Sequence, residues 1–324
     1  MTPLSIIIPA WNEASVIEQT LQHIVDADCD KEKCEVIVVA GGKDGTLEAA
    51  HKLSGMMQSV GRYVVLEQKP LGKNAAIQAG IRKARSPVLV LLDGDTFLSK
   101  NALKELTAPL EKDQSDLTIA NPFPITRTWV SEYYMISKEY LLNQISTISG
   151  VAMALKTDQV RQRLDYFFDE NVRVGVDYLL AKRLAEENRK ILFVPAAKVI
   201  TWMPTTLKYF LLNELRWLSA YIYLTGVKWQ HFGMNLLILA GIVLLILPFH
   251  VWSLSLAIVI HGAYLFKKGS AFMTVFSRGK TKLKYFPGFL ILSYAHHLVG
   301  LVAHLQNLAG FTKNLTLRQG ERPT

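Results

Sequence analysis

Residues 88–96 read VLVLLDGDT, and this stretch decides the fold. Residues 88–92 are apolar with no polar alternation, the pattern of a strand buried on both faces. Such a strand belongs inside a parallel sheet between layers of helix. Open α/β sheets bind ligands at the carboxyl ends of their strands. There the sequence sets Asp93 and Asp95 on either side of Gly94, where the backbone can turn sharply. Two hard oxygen ligands on one short turn suit a divalent cation such as Mg2+, which keeps other positions for water and a diphosphate. An isolated Asp-x-Asp is more often a solvated polar turn, so the surrounding sequence has to decide.

The chain around it alternates strands and helices. Residues 4–8 form a buried-strand pattern halted by Pro9, and residues 13–25 carry helical spacing through Val16, Ile17, Leu21 and Ile24. Strands are expected at 36–39 and 63–66, helices from about Thr46 and over 74–84. Ser86-Pro87 then feeds the organising strand. This rhythm argues for βαβ units and a parallel sheet, an α/β fold. Later strands are expected at 117–120 and 191–194, with helices around 132–145 and 176–186.

Composition sets further bounds. The chain has 324 residues, half of them hydrophobic, and a formal charge of +9. That charge suggests anionic partners: nucleic acid, phosphorylated substrate or anionic lipid. Cys29 and Cys34 are the only cysteines; without nearby histidine partners they read as structural thiols rather than metal ligands. Met1 leads straight into a strand-like run, so no secretory signal is read and the N-terminal part is expected in the cytosol.

The character of the chain changes near residue 204. Residues 207–225 are apolar and aromatic with scattered charge, as in a helix lying at a membrane surface. Residues 232–247 and 251–266 are nearly all apolar and are expected to cross a bilayer as a helical hairpin, giving a multi-pass protein. The rival reading is a buried hairpin of a soluble core. Residues 267–284 hold six Lys and Arg and no acid, so this loop is expected on the cytosolic side. Residues 285–309 are apolar but contain His296, His297, His304, Gln306 and Asn307, and either crossing or lying in the interface fits them. His296 and His297 are read as facing headgroups or a neighbouring helix. Asn314-Leu315-Thr316 matches a glycosylation acceptor, which carries no weight on a cytosolic or prokaryotic segment. The expected organisation is a cytosolic domain over 1–204, an interfacial region over 205–230 and a membrane domain over 231–324.

Four stretches fall where the sheet would gather them. Pro9, Ala10, Asn12 and Glu13 follow strand one; Asp44 follows strand two; Lys73 opens helix three; Asp93 and Asp95 follow the organising strand. Lys73 beside a helix N-terminus suits a diphosphate. Taken in order, SIIIPAWNE, VVAGGKDGT, GKNAAIQAGI and LVLLDGDT resemble the family 2 glycosyltransferases of GT-A, Rossmann-like fold, over about residues 4–217.

That resemblance implies a nucleotide-sugar donor, UDP-linked by family default, and inversion at the anomeric carbon. It implies that Pro9, Ala10, Asn12, Glu13, Asp44, Lys73 and Asp93 line the donor site, and that Asp95, with Asp93, binds Mg2+ or Mn2+. Ala40 and Gly41 stand where the family carries an acidic pair that reaches the nucleobase. The stretch from Val174 to Tyr178 is similar to the family motif holding the catalytic base, which makes Asp177 the base, although Val176 replaces the usual acid before it. The alternative is an ordinary carboxylate at a helix start. Residues 149–154 resemble the small-residue stretch beneath the acceptor; a buried strand fits them equally. Residues 213–217 are similar to the (Gln/Arg)-x-x-Arg-Trp motif of membrane-bound members. Arg216 would then bind diphosphate and Trp217 line the acceptor entrance, unless the pair only anchors a helix at the interface.

The expectation is a membrane-bound inverting glycosyltransferase with a lipid or lipid-linked acceptor, in a prokaryotic plasma membrane, near anionic lipid. One rival is the catalytic subunit of a processive polysaccharide synthase, which needs a homo-oligomer or partner because the expected spans are few. Another is a catalytically idle anchor subunit that binds nucleotide sugar. Nucleic acid is not an expected partner: no recognised motif is present, and the Lys/Arg cluster borders apolar runs.

Overall fold

A computed structural model of the chain describes residues 2–143, 149–172, 175–226, 228–246 and 251–309. Val174 and the Asn314-Leu315-Thr316 sequon lie outside the described residues. The chain forms two compact units, Met1–Ile125 with Leu141–Trp202, and Thr126–Tyr140 with Met203–Thr324.

The first unit opens with β1 (Leu4–Trp11), α1 (Ile17–Asp26), β2 (Cys34–Gly41), α2 (Thr46–Lys52), β3 (Arg62–Glu67), α3 (Lys73–Lys83) and β4 (Val88–Leu92). It continues with β5 (Thr96–Leu98), α4 (Ala102–Glu111) and β6 (Leu117–Pro124). After α5 (Trp129–Asn143), most of which belongs to the second unit, come β7 (Ala152–Lys156), α6 (Thr157–Arg161), α7 (Leu164–Phe167), α8 (Val176–Glu186) and β8 (Ile191–Thr201).

These strands form one sheet in the order β3-β2-β1-β4-β7-β6-β8-β5. The half β3-β2-β1-β4 is parallel, as the βαβ rhythm requires. The other half is mixed, which corrects the expectation of a wholly parallel sheet: β7 runs antiparallel to β4 and β6, and β5 antiparallel to β8. No βαβ crossover joins β6 to β7, so nothing forces them parallel. Another difference is that β1 runs through Pro9 to Trp11. Its pairing with β4 ends at Ile7, so Pro9 lies beyond that ladder, where a missing N–H is tolerated.

Burial on both faces follows from the apolar runs. Val90 of β4 packs with Ile6, Ile8 and Val38 beneath α1 and α4, and Leu89 and Leu91 pack with Ile7 and Ile37 against α3 and α8. Every β4 side chain is buried. At about 1.5–3 kcal/mol for each fully buried aliphatic side chain, this one strand contributes on the order of 10 kcal/mol of gross burial.

The amino end of the sheet holds a buried carboxylate that the sequence does not flag. Glu35, only 5% exposed, accepts hydrogen bonds from Ser5 Oγ, from the N–H groups of Arg85 and Ser86, and from Arg62 Nη1 at 2.6 Å. Burial pushes its carboxyl up, but these donors together hold it below the ordinary glutamate value.

The second unit contains α5, α9 (Leu207–Thr225), α10 (Trp229–Ile246), α11 (Val251–Ser277) and α12 (Phe286–Leu308). Tyr133 of α5 meets Phe210 of α9 edge-on at 5.3 Å and Phe289 of α12 at 5.6 Å. Glu132 and Glu139, also on α5, are fully buried. Arg127 Nε and Thr281 Oγ1 donate to Glu132 at 2.5 and 2.6 Å, and Lys280 Nζ donates to Glu139 at 2.5 Å. Two of the six cations expected in a free basic loop, Arg278 and Lys280, therefore serve Glu139. The loop is also shorter than expected, because α11 runs on to Ser277 and takes up Lys267 and Lys268. His296 pairs with Glu214 of α9 at 2.5 Å and His297 with Asn235 of α10 at 2.7 Å, which is the neighbouring-helix alternative.

Among the described residues one helix, Leu283–Leu308, is long and apolar enough to cross a membrane. The expected hairpin at 232–247 and 251–266 falls partly outside the described residues; the apolar stretch described in its first arm is Trp229–Val243.

Replacing Glu35 with Gln should lower the unfolding free energy by about 2–4 kcal/mol at pH 7, because buried donors lose a charged acceptor. The carboxyl sits below its unfolded value, so its contribution is complete above about pH 4.3 and is lost as pH falls through the lower folded value. Denaturant titrations of the two proteins should therefore converge in acid.

Candidate active site

The carboxyl edge of the sheet is built from the loops after β1, β2 and β4 and from the starts of α3 and α8. Asn12 leaves β1 in the left-handed region, with φ 59°, where Asn is tolerated better than most residues. Its N–H donates to Gly41 O at 3.1 Å, and its Oδ1 accepts from Lys43 N at 2.8 Å. The first two loops are thus tied together. Asp44 adds a second tie: Oδ2 accepts from Ala14 N at 2.9 Å, and Oδ1 accepts from Thr46 N and Thr46 Oγ1 at 3.1 and 2.6 Å. Burial raises the Asp44 carboxyl, but the bonds from Thr46 and Ala14 prevail and hold it below the usual aspartate range. Thr46 Oγ1 in turn accepts from Glu13 N at 2.7 Å. Asp44 thus ties these loops together, with two donors on Oδ1 and one on Oδ2.

The β4 turn packs directly on the first loop. A side chain at Gly94 would lie 3.3 Å from Ala10 Cα and 3.2 Å from Glu13 Cγ. Thr20 Oγ1, buried on α1, donates to Gly94 O at 2.7 Å, and Asp93 N donates to Val151 O at 2.9 Å. The turn is held from two sides, so Asp93 and Asp95 sit on a fixed backbone.

Lys73, the first residue of α3, forms an ion pair with Asp93. Each side chain is roughly a quarter to a third exposed. Burial lowers the Lys73 ammonium, but Asp93, then Asp177 and Asp95, outweigh it and raise the group above its ordinary value. Asp93 is pushed up to about 6, by burial first and then by Asp95 and Asp177 against the pull of Lys73. Three carboxylates therefore act on the Lys73 ammonium.

Asp177 stands in the first turn of α8, behind Gly175 at φ 77°. Its Oδ2 accepts from Gly150 N at 2.9 Å and its Oδ1 from Tyr178 N at 3.0 Å. A Cβ on Gly150 would come within 2.6 Å of Asp177 Cβ, so only glycine leaves room for this carboxylate. The stretch containing Gly150 and Val151, read as either an acceptor floor or a strand, forms β7 from Ala152 and supplies backbone groups to both Asp93 and Asp177.

The position where the family's nucleobase acid would stand is filled. A Cβ at Gly41 would lie 2.6 Å from Gln68 O and 2.9 Å from the Trp11 ring. Trp11, half-buried, packs over that glycine. Within the motif its residue type is the one signal for a ring at this place.

Pro9, Ala10, Asn12, Glu13, Asp44, Lys73, Asp93, Asp95 and Asp177 thus all belong to the first unit and, Pro9 apart, to this one linked edge. Arg216 and Trp217 lie on α9 in the second unit. There Arg216 Nη2 donates to Asn213 at 3.0 Å and its guanidinium lies 5.8 Å from the Trp217 ring centre.

No group of three or more His, Cys, Asp or Glu among the described residues is arranged to hold a metal ion. Mg2+ and Mn2+ do not require one when a diphosphate and water complete the shell. The hard oxygen donors gathered beside Lys73 suit a divalent cation of the kind Asp95 with Asp93 could hold.

Comparison with known proteins agrees with this architecture. Glycosyltransferase AglE of Haloferax volcanii is 36% identical over 93 residues, which are 28% of this chain and 30% of that protein. Dodecaprenyl-phosphate galacturonate synthase of Rhizobium johnstonii is 30% identical over 118 residues, 36% of this chain and 35% of that protein. This chain spans about a third of the length of these two relatives. A mannosyltransferase of Pyrobaculum calidifontis, solved with GDP-Man and Mn2+, superposes over 95% of this chain and 87% of its own with TM-score 0.63 at 18% identity, a likeness of fold. Residues 5–161 match the family model described as glycosyl transferase family 2, so the chain carries a domain of that family on a GT-A fold.

Proposed function

We propose that this chain transfers a sugar, with inversion, from a nucleoside diphosphate sugar to a hydroxyl of a lipid or lipid-linked acceptor. The observation that carries the reading is the gathering of Asp93, Asp95 and Asp177 around Lys73 at one sheet edge. A divalent cation between these carboxylates and an anionic donor would let the two approach each other. Asp95, with Asp93, would hold Mg2+ or Mn2+, and the Mn2+ in the mannosyltransferase complex supports this choice. The metal supplies charge neutralisation for the departing diphosphate. Lys73 orients Asp93 through their ion pair. Trp11 offers a ring face on which the base can stack beside Gly41.

Asp177 is the base. Two backbone N–H groups fix its orientation, and each oxygen keeps a lone pair for the acceptor. The acceptor oxygen attacks the anomeric carbon, the bond from that carbon to the diphosphate breaks, and the hydroxyl proton passes to Asp177.

The second unit supports a membrane setting for the acceptor. Phe266 is 80% exposed, Val259 67% and Ile291 62%, and Leu236, Leu256, Leu298 and Leu305 are more than half or about half exposed on α10, α11 and α12. These outward apolar side chains on three helices of one unit favour an apolar surrounding. α12 would cross the bilayer and α9 would lie at its surface, with Arg216 meeting phosphate and Trp217 the acceptor entrance. The relative named dodecaprenyl-phosphate galacturonate synthase supports a lipid-linked acceptor.

Asp177→Asn should cut turnover by about 10^2- to 10^4-fold with donor affinity retained. Unchanged turnover would indicate an acceptor, such as a phosphate monoester, that needs no base. Gly150→Ala, which crowds Asp177, should lower turnover in the same direction without altering the far-UV spectrum. Asp95→Ala should abolish the Mn2+-dependent rise in melting temperature that a nucleotide sugar gives the parent protein, a rise of RT ln(1 + [L]/Kd) in stability. Product sizing should show a single added sugar; a ladder of long polymer would favour the processive synthase. Flotation with liposomes should carry the whole chain upward, and recovery in the aqueous fraction would overturn the membrane reading.

A further inference from the structure

Cys29 and Cys34 lie in the connection between α1 and β2, at the amino end of the sheet and away from the carboxylate cluster. Their sulfurs are 3.4 Å apart, with the Cys34 thiol directed at Cys29. Cys29 is partly exposed, whereas Cys34, the first residue of β2, is 2% exposed. The Lys31 ammonium stands 3.2 Å from Cys29 Sγ. That ammonium is not a wandering surface charge: it donates to Ile24 O at 2.9 Å and to Ala27 O, the last carbonyls of α1. The helix end fixes the cation, and the cation faces the sulfur.

We propose that Cys29 and Cys34 form a reversible thiol–disulfide exchange site, in which Cys29 reacts with a small-molecule disulfide and Cys34 resolves the adduct. The hydrogen bond from Cys34 is the main reason that the Cys29 thiol is lowered to about 6; Lys31 adds to the effect, and burial opposes it. The same contact, with burial, pushes Cys34 far up. At neutral pH the exposed sulfur is thus the thiolate and the buried one holds its proton, which sets the order of events. The Cys29 thiolate attacks one sulfur of the disulfide; a Cys29–S–S–R bond forms and RS− departs, to be protonated by water. Cys34 then loses its proton and attacks Cys29 sulfur, the protein disulfide forms and the second RSH leaves. Two protein thiols are oxidised and one small disulfide is reduced to two thiols. The oxidised fraction would follow the ambient thiol–disulfide poise.

The full chain in detergent is incubated with oxidised glutathione at pH 7, and the peptide bearing residues 29–34 is weighed without reduction. The sequence holds no other cysteine, so every thiol lost belongs to this pair. The expected result is loss of both thiols with no glutathione retained, reversed by dithiothreitol. Cys34→Ser should trap glutathione on Cys29. Cys29→Ser should leave Cys34 unmodified in the folded chain yet reactive after denaturation, which reports that the variant folds. Lys31→Met should slow the first step roughly tenfold at pH 7. Persistence of both thiols, a stable glutathione adduct on the parent chain, or modification of Cys34 at the parent rate in Cys29→Ser would each overturn the proposal.

Discussion

Crowding of like charge at the end of β4 is the constraint that the first unit is built to sustain. Asp93, Asp95 and Asp177 raise one another's charge cost, and all three act on the Lys73 ammonium. Their positions are imposed by backbone groups rather than by mutual attraction. Val151 O holds the amide of Asp93, Thr20 holds Gly94 O, and Gly150 N with Tyr178 N holds the Asp177 carboxylate. Each of those anchors comes from an element seated in the sheet or against it. The apolar layers on the two faces make these anchors rigid enough to keep the acids together.

Much of this was legible in the sequence, and the reason is local. Unbroken apolar runs gave β2, β3 and β4 within a residue or two, and helical spacing placed α8 at Val176–Glu186 and α9 at Leu207–Thr225. The DGD turn and Lys73 are signalled by residue type beside those runs. What was not legible depends on partners distant in the chain. That Asp44 also ties the first two loops together depends on Ala14 and Thr46. Glu35 resembles a surface acid within an apolar strand until Ser5, Arg62, Arg85 and Ser86 close over it. The direction of β7 follows from its pairing with β4 and β6, which no periodicity of five residues can encode.

The second unit shows a related limit. Hydropathy marks α10, α11 and α12 as apolar, but it does not reveal that α5, which lies between β6 and β7 in sequence, joins them through Tyr133, Glu132 and Glu139. Two fully buried glutamates are tolerated because Arg127, Lys280 and Thr281 meet them. The basic segment therefore has an internal obligation in addition to any attraction to lipid headgroups. Counting its cations as free charge overstates its pull on a membrane.

The tight nesting of Gly41 beneath Trp11 and against Gln68 O has a consequence for how this enzyme can diverge. An aspartate installed at that glycine would have to displace an indole on one side and a main-chain oxygen on the other. Gln68 is itself tied back, its N–H donating to Ala40 O at 2.6 Å. An acid there requires the strand β3 exit and the ring to move together. The three positions are thus coupled by packing, and a substitution at one of them is felt at the other two.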